Sequence, residues 1–125
     1  MSESRTLLEH RWPSSRRADE NCLGFYLQDG KVCVYCTELW DHQEEDQEDS
    51  VGVEILTPAF CQVIDQLQRV DGPNVTNHLP GIEVGTALSF KRNEADVTVS
   101  CHGPHKAIIV SLPLEKLAAL RIDQA

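Results

Sequence analysis

Long apolar runs are missing from this sequence. No stretch approaches the roughly 20 consecutive apolar residues that a transmembrane helix requires. The opening residues, MSESRTLLEHRWPSSRR, also lack the apolar core of a secretory signal peptide. We therefore expect a cytoplasmic protein that has no membrane partner.

Recognisable catalytic motifs are missing as well. The sequence has no glycine-rich phosphate loop, no GxSxG nucleophile turn and no HExxH zinc motif. Each of these motifs places the groups of one particular reaction at fixed spacing, so their absence leaves no reaction indicated. We predict that the protein is not an enzyme and that it needs no cofactor.

Positive charge is scarce. Lys and Arg number 11 against 20 Asp and Glu, which gives a formal net charge of −9 and a pI near 4.9. Phosphate backbones and anionic membranes both attract a positive surface, so nucleic acid is disfavoured and a basic protein partner is the natural complement. Residues 1–17 run against this trend, with four arginines and two glutamates.

The length and composition predict one folded domain. A chain of 125 residues, 41% hydrophobic and 25% charged, is typical of a globular protein with a single core. Residues 1–21 have only a short apolar patch, so they are expected to form a loosely ordered N-terminal arm, or one short helix over SRTLLEH. The domain itself is then expected to span residues 22–125.

The first half of this domain predicts three strands and a helix. CLGFYLQDGKVCVYC alternates apolar and polar residues on both sides of Asp29-Gly30, which is typical of a hairpin. VGVEIL alternates in the same way and predicts a third strand. TPAFCQVIDQLQRV then begins with Thr57 as the expected N-cap and Pro58 at the first helical position, and continues with apolar residues at helical spacing.

The second half repeats this order after a long connection over residues 71–85. TALSF, DVTVSC and KAIIVSL predict three more strands, and PLEKLAAL predicts a short closing helix. The expected fold is therefore α+β, with one antiparallel sheet of about six strands and two helices on one face. Its order is βββα-βββα, in halves 22–70 and 86–125. The sheet edges invite pairing, so the chain is expected to be a monomer or a homodimer.

Two cysteine patterns need to be weighed. Cys33 and Cys36 have the spacing of zinc and redox pairs, but on a strand they point to opposite faces, which favours reduced core thiols. In CHGPH, Cys101, His102 and His105 lie across a Gly-Pro turn, which makes them candidate ligands, with His78 or a carboxylate, for a mixed transition-metal site. The favoured interpretation is a loop between two strands with exposed histidines, so no metal is predicted. A metal-dependent or thiol enzyme is the second alternative.

The segment DHQEEDQEDS, residues 41–50, contains six carboxylates in ten positions. It lacks the central glycine of a helix-loop-helix calcium site. Two interpretations remain: a like-charged hairpin connection that only aids solubility, or a contact surface for a basic protein beside an interface-type tryptophan. The residues predicted to contact such a partner are Glu38, Trp40, Asp41, Glu44, Glu45, Asp46, Glu48 and Asp49.

Two resemblances add to this interpretation. GKVCVYCTELWD followed by VGVEILTPAFCQVIDQL resembles the strand, loop, strand and proline-started helix of Whirly and transcriptional-coactivator type single-strand nucleic-acid binders. It implies nucleic-acid binding by a sheet with basic and aromatic groups, which is the first alternative function. In general character, the small acidic α+β chain also resembles immunity proteins. That resemblance implies an inhibitor, as in a toxin-antitoxin pair, whose carboxylates take the place of phosphates on a basic nuclease toxin.

Overall fold

A computed structural model describes residues 4–13, 20–42, 45–68, 77–120 and 122. The first four strands are β1 (Arg5–Pro13), β2 (Glu20–Gln28), β3 (Lys31–His42) and β4 (Glu45–Leu56), and they are followed by the helix α1 (Thr57–Gln68). The remaining strands are β5 (Asn77–Pro80), β6 (Ala87–Arg92), β7 (Asp96–His102) and β8 (Ala107–Pro113), and a 3₁₀ helix (Leu114–Leu120) closes the chain.

Within the described ranges, the strands form two antiparallel sheets of four, and not the single sheet of about six that the sequence predicted. Sheet A has the order β1-β2-β3-β4, and sheet B has the order β5-β6-β7-β8. The six predicted strands are all present, and β1 and β5 are additional. The α+β class and the antiparallel pairing are confirmed, whereas the number of sheets and the element order were wrong.

The segment that was expected to be a loose arm or a short helix contains β1. Leu8 is buried and pairs with Phe25, and the register continues to Pro13 and Glu20 with one irregularity between Thr6 and Leu8. β1 is stabilised by its pairing with β2. Local sequence patterns do not show which strands pair, so they did not predict β1. This segment is an edge strand of sheet A.

The predicted turn between β2 and β3 is confirmed. Asp29 and Gly30 both have positive φ, at 52° and 75°. Two consecutive left-handed residues match the right-handed twist of the flanking strands, and Asp-Gly adopts this conformation with little strain. The register then runs from Gln28↔Lys31 to Cys22↔Thr37, so β2 stops pairing with β3 at Thr37.

The two sheets pack face to face because each is apolar on one side. Along β7 and β8 buried residues alternate with more exposed ones, so a single sheet would leave its apolar face in water. Phe60 of α1 joins the layers. Its ring centroid lies 6.1 Å from that of Phe25 in sheet A and 6.4 Å from that of Phe90 in sheet B. The core therefore lies between the sheets.

The helix α1 begins where the sequence predicted, at Thr57. Its buried face consists of Thr57, Phe60, Val63, Ile64 and Leu67. The backbone N–H of Thr57 donates to the carbonyl of Gly30 at 3.1 Å, whereas its hydroxyl is buried and has no hydrogen-bond partner among the described residues, so the expected side-chain cap is not made there. At the other end, the Arg92 guanidinium donates to the carbonyl of Leu67 at 2.9 Å.

The closing helix is a 3₁₀ helix that buries Leu117 and Leu120. It contacts β1 of sheet A and both β7 and β8 of sheet B, while α1 contacts β3, β4 and β5. Each helix thus touches both sheets, and neither lies on one face of a single sheet. None of the described helices is long and apolar enough to cross a membrane.

Candidate protein-binding site

In the acidic segment, β3 and β4 continue as a pair beyond the point where β2 of sheet A ends its pairing with β3. β3 and β4 remain paired as far as His42↔Glu45, although β2 leaves β3 at Thr37. We call residues 38–42 and 45–49 the acidic ribbon. The segment had been expected to be a loop between strands, but its backbone continues the antiparallel ladder on both sides of residues 43 and 44, which lie outside the described residues.

The side chain of Asn21 supports the base of the ribbon. It is buried, and its oxygen accepts a hydrogen bond from the backbone N–H of Leu39 at 2.7 Å. This bond continues the edge of the ladder one step beyond the last β2–β3 pair. The bond satisfies a buried amide oxygen and a backbone donor at the point where the two strands leave the sheet.

The register places like charges at paired positions. Glu38 pairs with Asp49, and Asp41 pairs with Asp46. Like charges at directly opposite positions of an antiparallel pair are destabilising. A ribbon of this kind therefore gains stability when cations approach it.

A lysine of sheet B already approaches the base of the ribbon. Lys106 Nζ lies 2.6 Å from Asp49 Oδ1, and both side chains are a little over 40% exposed, at 44% and 43%. Next to this ion pair, the hydroxyls of Thr37 and Ser50 lie 3.3 Å apart across the β3–β4 ladder. The turn between β7 and β8 thus joins the ribbon to sheet B.

A shallow cavity of about 210 Å³ lies beside this ion pair, between β4 and two turns of sheet B. Its walls include Ser50, Gly52, Thr86 and Pro104. The backbone N–H of Ile82 donates to the carbonyl of Glu54 at 2.8 Å and holds the turn after β5 against β4. The cavity is therefore a concave surface next to the ribbon.

The predicted contact residues that the structure describes lie along the ribbon, and the alternation of the strands divides them between its two faces. Glu38 is half-buried and Asp49 is half-exposed. Trp40, Asp41, Glu45, Asp46 and Glu48 are described by their backbone pairing, and Glu44 lies outside the described residues. Trp40 pairs with Gln47, within two positions of Asp41 and Asp46.

The residues of CHGPH do not come together. Cys101 is fully buried and pairs with Ile108 on the core side, whereas His102, the next residue, belongs to the opposite face. The His102 ring instead lies 6.1 Å from the His78 ring, and His78 Nδ1 lies 3.0 Å from the hydroxyl of Ser89. Among the described residues, no three His, Cys, Asp or Glu side chains are arranged to hold a metal ion.

Two of the thiols, Cys36 and Cys101, lie in the core between the sheets. Cys33 is buried as well, and Cys22 and Cys61 are half-buried. A hydrogen bond with Cys101, together with burial, raises the pKa of the Cys36 thiol far above its usual value. Cys36 belongs to sheet A and Cys101 to sheet B, so this bond crosses the core. A raised pKa suppresses the thiolate that nucleophilic chemistry needs.

Sequence reasoning missed an aromatic patch on the outer face of sheet A. The rings of Tyr26 and Tyr35 lie 6.1 Å apart, and Tyr35 is 53% exposed. Each ring covers a glycine, since a Cβ on Gly24 would overlap Tyr26 and one on Gly52 would lie 2.9 Å from Tyr35. The sequence signal that indicates this patch is the alternation of Cys22, Gly24 and Tyr26 on the face opposite Leu23 and Phe25.

Ion pairs flank this patch. Arg11 lies 3.7 Å from Glu9, and Lys31 lies 3.2 Å from Glu54. The Tyr26 hydroxyl donates to Glu9 at 3.2 Å, and burial together with this carboxylate raises the pKa of the phenol. The basic groups of the outer face thus have carboxylates beside them.

Comparisons with protein families, with curated proteins and with solved structures found no match to this chain.

Proposed function

We propose that this chain is a non-enzymatic protein-binding domain that holds a basic partner on its acidic ribbon. The observation that carries the proposal is the register of β3 and β4, which sets Glu38 opposite Asp49 and Asp41 opposite Asp46. Like charges at directly opposite positions of a ladder repel, and Lys106 offsets this only at the Glu38–Asp49 pair. A cationic surface removes that repulsion, so the ribbon gains more from a basic partner than the same charges on a mobile loop would.

The most concrete form of the proposal is an inhibitor or immunity protein for a basic toxin such as a nuclease. The paired strands present carboxylates on both faces, with Glu38 and Asp49 on one face and Asp41 and Asp46 on the other, so negative charge recurs along the ribbon as it does along a nucleic-acid backbone. Charges at the rim of such an interface act mainly on the rate of encounter, through electrostatic steering. The cavity beside Ser50 and Pro104 supplies a neighbouring concave surface for apolar groups of the partner.

The second candidate function is binding of single-stranded nucleic acid on the outer face of sheet A. The neighbouring rings of Tyr26 and Tyr35 favour it, since bases stack on exposed aromatic rings. The ion pairs Arg11–Glu9 and Lys31–Glu54 weaken it, because each basic group already has a carboxylate beside it. The geometry therefore supports the protein-binding function better.

The test is to co-express the chain with the product of each adjacent reading frame, capture the complex and measure its association rate at increasing salt. We expect a basic protein to be captured, and we expect the association rate to fall steeply as salt rises. Labelled single-stranded DNA is titrated in parallel at moderate salt. Tight binding of that DNA, with no basic protein captured, would replace the first candidate by the second.

A pair of double variants separates a specific ribbon from general negative charge. Glu45→Lys with Glu48→Lys reverses two ribbon charges, and Glu94→Lys with Glu115→Lys makes the same change in net charge at exposed positions elsewhere. Both are expected to fold. Only the ribbon variant should lose the partner, by about tenfold or more in association rate. Equal losses in both variants would show that net charge, and not the ribbon, is responsible.

A further inference from the structure

The edges of the two sheets differ in how they are protected from pairing with another strand. β1 has Arg5, Glu9 and Arg11 and an irregularity in its register. β4 is met by the N–H of Ile82 and by Lys106. β5 has four residues and ends at Pro80. Charges, bulges, prolines, short length and covering loops are the usual means of blocking an edge.

β8 has almost none of this protection. Its seven residues, AIIVSLP, carry no charge, and its register with β7 runs without a shift from His102↔Ala107 to Asp96↔Pro113. Proline occurs only at its last position. Within the described part of the chain, no backbone hydrogen bond outside the β7–β8 ladder reaches residues 107–113. β8 is therefore an open edge.

The ladder shows which backbone groups of β8 point outward. Gly103 N–H donates to Lys106, and Leu114 N–H donates to Ala95, each at an end of the β7–β8 pairing. Hydrogen-bonded pairs alternate along an antiparallel ladder, so the residues bonded to β7 are 108, 110 and 112. The N–H and C=O groups of Ala107, Ile109 and Ser111 thus point away from the sheet.

We propose that this edge pairs with β8 of a second copy of the chain to form a homodimer. A two-fold axis at Ile109 pairs Ile109 with itself and Ala107 with Ser111 of the second copy. The backbone N–H and C=O groups of all three residues then form hydrogen bonds with the second copy. Pro113, which lacks an N–H, takes no part in these bonds. The same register keeps Ile108 beside Val110 of the second copy, so the apolar core faces of the two sheets stay on one side.

Two observations favour a second copy over a strand of another protein. Ile109 is 63% exposed on the outer face. In the proposed dimer it packs against Ile109 of the second copy and becomes buried. Each chain has a net charge of −9, so two copies meet most easily along a strand without carboxylates. The sheet formed in this way has eight strands and leaves the acidic ribbon of each copy to its own partner.

The test measures the mass of the full chain by light scattering over a wide range of concentration. We expect a dimer for the unmodified chain and for Leu56→Lys, which replaces another exposed apolar residue, 60% exposed, at a distant position. Ile109→Lys should fold and raise the dimer dissociation constant by about tenfold or more, since like charges meet and an apolar contact is lost.

A cross-link identifies the register. In the proposed pairing the two Ile109 Cα atoms lie about 5.5 Å apart, within the range of about 4.4–6.8 Å that a disulfide spans. Ile109→Cys should form a covalent dimer when a mild oxidant is added, and the unmodified chain should not. A monomer at all concentrations, a dimer that Ile109→Lys leaves intact, or a β8 edge occupied by another protein would each overturn the proposal.

Discussion

Lys106 Nζ lies 2.6 Å from Asp49 Oδ1, and this contact joins residues 57 positions apart in the sequence. It brings the turn between β7 and β8 to the base of the acidic ribbon. It also provides a cation to one member of the Glu38↔Asp49 pair. The contact thus shows on a small scale how the ribbon interacts with positive charge.

Lys106→Ala is expected to lower the free energy of unfolding by about 0.2–1 kcal/mol. An exposed ion pair contributes in this range, and its removal leaves two carboxylates opposed. The loss should shrink in high salt, which screens both effects. Urea unfolding at low and high salt measures it, with Lys91→Ala as the control of equal charge change. The same loss in both variants would contradict a specific role for the contact.

Asp46→Lys is expected to raise the free energy of unfolding by about 0.2–1 kcal/mol, because it places a cation opposite Asp41 in the ladder. The same change should weaken binding of a basic partner. Thermal unfolding and the association rate are measured on one preparation. Glu48→Lys is the control, since Glu48 pairs with Leu39 and gains no such cross-strand attraction. A stabilised variant that binds unchanged would exclude the ribbon as the contact surface.

Tyr26 should make stability depend on alkaline pH. Burial, and then Glu9, raises the pKa of its phenol above the ordinary value of 10.0. A raised folded pKa favours the neutral form, so this stabilisation is complete below pH 10 and is lost as pH rises through the folded pKa. Absorbance titration of the phenols and urea unfolding at alkaline pH measure it. Tyr26→Phe should flatten the dependence, and an equally steep fall in that variant would contradict it.

The cysteines are expected to react in an order set by burial. Cys22 and Cys61, which are half-buried, should be alkylated first by iodoacetamide at mildly alkaline pH, and Cys36 and Cys101 only as fast as the chain unfolds. Peptide mapping by mass spectrometry follows each site. All five should react rapidly in denaturant. Modification of Cys36 in the folded chain as fast as that of Cys22 would contradict the core position between the sheets.

The sequence predicted those elements whose signal is local. The Asp29-Gly30 turn, the start of α1 at Thr57 and the alternation of β7 and β8 each depend on neighbours a few residues apart, and all are present. β1 and β5 were missed because each is held by pairing with another strand. β1 contains a register irregularity between Thr6 and Leu8 and three charged residues, and β5 has only four residues. Neither has enough internal pattern to predict a strand by itself.

The candidate site divides in the same way. The carboxylates of residues 41–50 follow from the sequence alone, although the sequence placed them in a connection between two strands. Their opposed register, the support from Asn21 and the ion pair with Lys106 do not, since each depends on which strands pair and how the sheets pack. Cys101 and His102 show the opposite case, in which residues that are neighbours in the sequence are separated in the structure. Adjacent residues on a strand belong to opposite faces, however suggestive their spacing is.

The sequence by itself determined the class of this protein: α+β, antiparallel, strongly acidic, with apolar residues for one core. It did so because alternation, turn chemistry and charge are properties of short segments. Only the tertiary structure decided that two one-sided sheets enclose that core, that the acidic segment is a ladder of opposed charges, and that β8 is an open edge. These features depend on contacts between distant segments, and such contacts form only where apolar faces and backbone groups find partners across the whole chain.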